Sequence, residues 1–193
     1  MAIKVHEVLK NVTWLIGGYK KLFSSKLTEL VTGTWKSIKA EVYYPTMKAP
    51  VQFTELLEFH SMGQPLLNYS SETRHPQNKS VMHLERGFLR VDDDRSTVAL
   101  LTSQNFGLST LEEGYVKDKE MVLATACIGI MKFAKQTVLA LHRSYRLTED
   151  GKLQYCAMME TPQTPLTKHV EVEYEKIKGP ESTREYDHKT FVN

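Results

Sequence analysis

From Thr34 to Ile177 the chain repeats one pattern: a short run with strand-like alternation, then a break rich in Gly, Pro, Asn or Asp. The runs are roughly Lys36–Tyr44, Gln52–His60, Leu66–Thr73, Val81–Val91, Thr97–Gln104, Leu108–Val116, Met121–Thr125, Ile128–Ala134, Thr137–Leu147, Leu153–Met159 and His169–Ile177. Breaks such as "RHPQNK", "DDDRS", "NFG" and "TEDGK" separate them. No helix-period stretch stands between the runs, so neighbours in sequence must pair antiparallel. A sandwich or an up-and-down barrel satisfies that pairing, and pattern alone does not separate the two. The strand count favours the barrel, which has no free edges and, at about ten strands, encloses room for a ligand.

Residues 1–31 differ. Val5, Val8, Leu9, Val12, Leu15 and Ile16 recur at helical spacing. The expected organisation is a helical segment over 1–31, a β-barrel over 32–178 and a mobile polar tail over 179–193. A net charge of +2 without a basic cluster argues against nucleic acid and against an anionic membrane as partners. Cys127 and Cys156 form no CxxC pair, so the expectation is two reduced, mostly buried thiols. The N-terminal residues lack a long apolar core, and no run of about 18 apolar residues occurs. The expected location is therefore the cytoplasm, or the nucleus, and not the exterior.

The chemistry-bearing motifs are sparse. There is no GxSxG, HExxH, P-loop or GxGxxG. One histidine raises a question. In "TPLTKHVEVEYEKI" (Thr164 to Ile177), Val170, Val172 and Tyr174 share one strand face, and His169, Glu171, Glu173 and Glu175 share the other. Alternation makes His169 a surface residue. A bulge at the rim of a ligand-binding barrel would re-aim it, however, and patterning leaves the two readings open.

Six segments taken in order carry a likeness to a known family. They are "YYPTMKAP" (Tyr43 to Pro50), "HSMGQPLLNYS" (His60 to Ser70), "VMHLERGFLR" (Val81 to Arg90), "SQNFG" (Ser103 to Gly107), "HRSYRL" (His142 to Leu147) and "TPQTPLTKHVEVEY" (Thr161 to Tyr174). Together they resemble the nitrobindin family over about Val12 to Ile177. The resemblance implies an all-β, roughly ten-stranded antiparallel barrel, shaped like fatty-acid-binding proteins and lipocalins. It implies haem b at the barrel mouth, with His169 as the proximal iron ligand. Thr46 of "YPT" and Lys135 of "FAKQ" match residues that approach the haem. The implied activity is binding of nitric oxide and isomerisation of peroxynitrite to nitrate at ferric haem, with no catalytic side chain beyond the iron and with a homodimer as a candidate assembly. The alternative is a non-enzymatic carrier of a fatty acid or other apolar ligand.

Three departures from the family pattern bear on the pocket. "GYKKLFSSKLTELVT" is inserted between "TWLIG" and "GTW", and "KSIKAEVY" replaces a glycine-rich stretch, which predicts a bulkier strand beside the pocket. Phe106 stands where the family often has threonine, and is expected to narrow the pocket or stack on a bound porphyrin.

Overall fold

The structure, a computed structural model, describes residues 30–64, 66–92, 96–134 and 136–179, with the side chains of 63 and 64 excepted. The expected helix over 1–31 therefore lies outside the described residues up to position 29, and the expected tail lies outside them from position 180. Leu30 and Val31 are helical and buried in the core.

Eleven strands follow: β1 (Gly33–Val42), β2 (Val51–Gln52), β3 (Thr54–Gln64), β4 (Leu66–Arg74), β5 (Val81–Val91) and β6 (Thr97–Gln104). The second half holds β7 (Leu108–Lys117), β8 (Glu120–Ile130), β9 (Ala140–Leu147), β10 (Leu153–Thr161) and β11 (Thr164–Lys178). From β3 to β11 each strand pairs with the next, and β11 pairs with β1 to close the sheet. The two-residue β2 pairs with one end of β1 and β3 with the other, so β2 and β3 form one interrupted stave. The result is a closed, ten-staved, antiparallel up-and-down barrel, as expected.

Bulges explain where alternation misleads. Met121–Thr125 and Ile128–Ala134 read as two runs, but one strand, β8, spans the first and takes in the second as far as Ile130, with residues 131–134 outside it. Leu111 pairs with Cys127 and Glu112 with Thr125, which leaves Ala126 as an extra residue that breaks the phase. A second irregularity in β1 falls between Ser37 and Lys39. There Ile38 and Lys39 are both exposed, while Ala40 is buried. Lys36, Ile38 and Lys39 of "KSIKAEVY" thus turn outward, while Val42 of the same stretch lines the interior. Gly87 and Gly114 mark points where neighbouring strands press together. A Cβ would lie 1.7 Å from the Leu101 carbonyl oxygen at Gly87 and 1.8 Å from that of Val122 at Gly114.

The barrel has two distinct ends. The links at 43–50, 75–80, 105–107, 131–139 and 162–163 open one end, here called the mouth. The turns at 92–96, 118–119 and 148–152 close the other, the base. The interior is tiered accordingly. Near the base, Trp35, Leu57, Phe59, Leu89, Met121 and Tyr145 fill the lumen. The Trp35 indole nitrogen donates to the Val31 carbonyl at 2.6 Å, and the Lys176 ammonium sits 4.4 Å above the ring. Above this lies a polar tier, and above that a cavity open at the mouth.

Both thiols depart from the buried expectation. Cys127 is exposed and Cys156 half-buried. Burial pushes the Cys156 thiol above its usual range.

Candidate functional site

The polar tier holds Arg143 between two carboxylates. Its guanidinium donates twice to Glu85, at 2.7 and 3.1 Å, and its Nε lies 2.8 Å from Glu112 Oε2. Burial alone would lower the Arg143 pKa, but Glu85 and Glu112 overcome it and hold the guanidinium charged. Burial would likewise raise Glu85, and Arg143 reverses it, bringing the carboxyl down to about 2. Tyr69 donates to Glu85 at 2.7 Å, and Thr110 to Glu112 at 2.7 Å. Among the described residues, Glu55 forms no ion pair. Ser71 donates to it at 2.6 Å and Tyr174 at 2.8 Å, yet burial pushes its pKa up to about 7.

Above this tier lies a cavity of about 450 Å³. Val42, Phe53, Met82, Leu108, Val138 and Val170 give it apolar walls, and Glu55, Glu85 and Arg143 form its floor. Two histidines face it, His83 and His169.

His169 reaches the cavity through a bulge. Ala157 pairs with Val170 and the next residue, Met158, with Lys168, so His169 is the extra residue of β11. Both His169 and Val170 then line the cavity, although they are adjacent in sequence. Strand β11 also starts at Thr164, so His169 lies within the strand and not at its beginning. Two contacts fix the ring. The backbone N–H of Tyr43 donates to the His169 carbonyl at 2.8 Å, and His169 Nδ1 lies 3.2 Å from the Tyr43 carbonyl. A carbonyl only accepts, so Nδ1 carries the hydrogen and Nε2 keeps its lone pair. The Tyr44 ring meets the imidazole edge-on at 5.3 Å. Tyr44 is itself anchored, its hydroxyl donating to the Met159 carbonyl at 3.2 Å. Burial lowers the His169 pKa, against the bond to Tyr43, and nearby His83 lowers it further. The imidazole is therefore neutral at neutral pH, as a metal ligand must be.

His83 forms a separate wall. Its ring stacks on Phe106 with centroids 4.9 Å apart, and its Nε2 lies 3.3 Å from Gln104 Oε1. Phe106 lines the cavity beside His83. Gln104 Nε2 is buried with no hydrogen-bond partner. His83 Nε2 also stands 3.9 Å from Glu85 Oε1, while Glu85 makes its hydrogen bonds to Arg143 and Tyr69.

The other two residues singled out from the sequence stand elsewhere. Thr46 lies in the exposed link between β1 and β2, at the rim and outside the cavity lining. Lys135 lies outside the described residues. Sequence reading missed Tyr43 and Tyr44 as the supports of His169, although "YYPT" preceded the site in plain view. It also missed Arg143, whose burial opposite two glutamates has no local signature.

The residues present fit a haem. The cavity is apolar at its walls and open at one end. It presents an oriented imidazole lone pair and carries an unpaired buried donor suited to an oxygen acceptor.

A family model described as "THAP4-like, heme-binding beta-barrel domain" matches residues 25–176. The human protein named "Peroxynitrite isomerase THAP4" is 33% identical over 90% of this chain, which spans 28% of that protein's length. "Peroxynitrite isomerase 2" of Mycobacterium marinum is 32% identical over 72% of this chain and 85% of its own. The crystal structure of Rv2717c from M. tuberculosis superposes with a TM-score of 0.68 at 30% identity, covering 78% of this chain and 94% of that one. This chain therefore belongs to the nitrobindin family, the THAP4-like heme-binding β-barrel domains.

Proposed function

We propose that this barrel binds haem b at its mouth through His169 Nε2, binds nitric oxide there, and converts peroxynitrite to nitrate. One observation carries the reading: a bulge turns a neutral, singly tethered imidazole into an apolar cavity with its Nε2 lone pair unassigned. The names of the relatives support the reaction class.

When bound, the haem supplies a ferric centre able to hold nitric oxide and to act as a Lewis acid toward a peroxo anion. The chain's own contribution is orientation and exclusion of water. The Tyr43 carbonyl fixes the tautomer and makes the imidazole a stronger donor, as outer partners of ligating histidines do. Tyr44 restrains rotation of the ring. Gln104 Nε2 offers a hydrogen bond to an oxygen held in the cavity. Peroxynitrite and nitrate have the same atoms and charge. One O–O bond breaks and one N–O bond forms, so no side chain has to give or take a proton.

The test is a haemin titration followed by absorbance. The native chain should develop a Soret band with saturable, one-to-one uptake, and His169→Ala should lose or shift it while far-ultraviolet circular dichroism stays the same. Stopped-flow mixing of the loaded protein with peroxynitrite should raise the nitrate yield. An unchanged Soret band in His169→Ala would remove His169 from the reading.

A further inference from the structure

The near-neutral total charge conceals a local cationic grouping in the links at the mouth. Among the described residues, the five links at the mouth hold three lysines, Lys48, Lys79 and Lys132, and no aspartate or glutamate. Among the described residues, the base turns hold Asp92, Asp118, Glu149 and Asp150 with Lys119 and Lys152. At the base, charges are paired: Lys119 meets Glu149 at 3.1 Å and Lys152 meets Asp150 at 3.4 Å. Among the described residues, Lys48, Lys79 and Lys132 form no ion pair. The links around the cavity opening thus carry cations and no carboxylate of their own.

The same end of the barrel is apolar at its tips. Phe133 is 83% exposed, Met131 56%, Leu139 53% and Phe106 40%. Ile130, at the end of β8, extends the group. These side chains stand on two links that touch each other, since the Met131 N–H donates to the Gly107 carbonyl at 2.9 Å. Lysine alternates with them in sequence, as "IMKFAK". Large apolar side chains held in water beside cations are not solvated for their own sake.

We propose that the mouth docks on an anionic lipid surface, with Met131, Phe133 and Leu139 entering the headgroup boundary and Lys48, Lys79 and Lys132 meeting the lipid phosphates. A bilayer is the surface that supplies apolar depth and negative charge together. A nucleic acid would offer charge and leave Phe133 and Met131 without an apolar counterpart. Long lysine side chains reach past apolar neighbours to the headgroups. No described helix is long and apolar enough to cross a membrane, and the proposed contact is a peripheral one. Docked this way, the cavity opens toward the lipid, the phase in which a porphyrin or another amphiphile dissolves. That last consequence rests on the proposed haem reading; the docking itself does not.

The experiment is vesicle flotation of the full chain without haemin, comparing phosphatidylcholine vesicles with vesicles containing phosphatidylserine. The native protein should float with the anionic vesicles only, and raising salt from about 0.1 M to about 0.5 M should release it. Phe133→Ser and Lys132→Glu should each weaken flotation several-fold, and Asp150→Asn at the base should leave it unchanged. Phe133→Trp should give a blue-shifted emission on anionic vesicles alone. Equal recovery on both vesicle types, or undiminished flotation of Phe133→Ser, overturns the proposal, as does an emission of Phe133→Trp that does not move. Capture by a DNA duplex with no flotation assigns the charge to nucleic acid and overturns it too. Haemin titration of the same variants without vesicles reads the haem proposal separately, because Phe133 and Lys132 do not line the cavity.

Discussion

Arg143 is the residue on which the interior depends most. It is the only cation among the described residues that meets both Glu85 and Glu112, and all three are buried. Arg143→Met keeps the volume and removes the charge. The variant should lose about 3–5 kcal/mol at neutral pH, because two carboxylates stay buried without a counter-ion. Part of that loss should return on acidification, when protons replace the guanidinium. Urea melts at pH 5 and pH 8 will show it. Glu55 presents the opposite case. It has hydroxyl donors and, among the described residues, no ion pair, so Glu55→Gln should leave the fold intact and raise stability above pH 7 relative to the native chain.

At the scale of the strand, the β11 bulge determines what His169 can do. Deleting Lys168 removes the extra residue and puts His169 in register opposite Met158, so that successive side chains alternate again. The barrel should persist by circular dichroism, with haemin affinity down at least about tenfold. Gly87 tests the sheet itself. Gly87→Val drives a side chain into the Leu101 carbonyl, and should cost about 3 kcal/mol or more in a thermal melt. These two positions also mark how far sequence reading reaches. The strands β5 and β6 were bounded as observed, because their ends carry turn residues and nothing irregular interrupts them. The strands β8 and β11 were misjudged in phase or extent, because a bulge adds a residue without leaving a compositional trace. The cavity histidine was legible as a question and by resemblance. Its supports were not, since the carbonyl of Tyr43 and the ring of Tyr44 come from a link more than a hundred residues away in sequence.

For the molecule as a whole, stability should follow two buried carboxyls of opposite behaviour. Glu85 falls from 4.5 to about 2 on folding, so its contribution is present above pH 4.5 and is lost as pH falls through about 2. Glu55 rises from 4.5 to about 7, so the native state holds its proton more firmly than the unfolded chain. Its contribution is complete below pH 4.5 and is lost as pH rises through about 7. Each is worth on the order of 3 kcal/mol. Denaturant midpoints measured from pH 3 to pH 8.5 should therefore show a decline between about pH 4.5 and 7 that Glu55→Gln abolishes. The base of the barrel adds a different constraint. Trp35 and its neighbours fill that end, so the lumen is a cul-de-sac. Whatever goes in must come out by the same door, and a large tenant with small visitors must share it in turn. Turnover is then governed by traffic at the rim, and exchanging the five links should alter which guests are admitted while the sealed floor goes on holding the staves together.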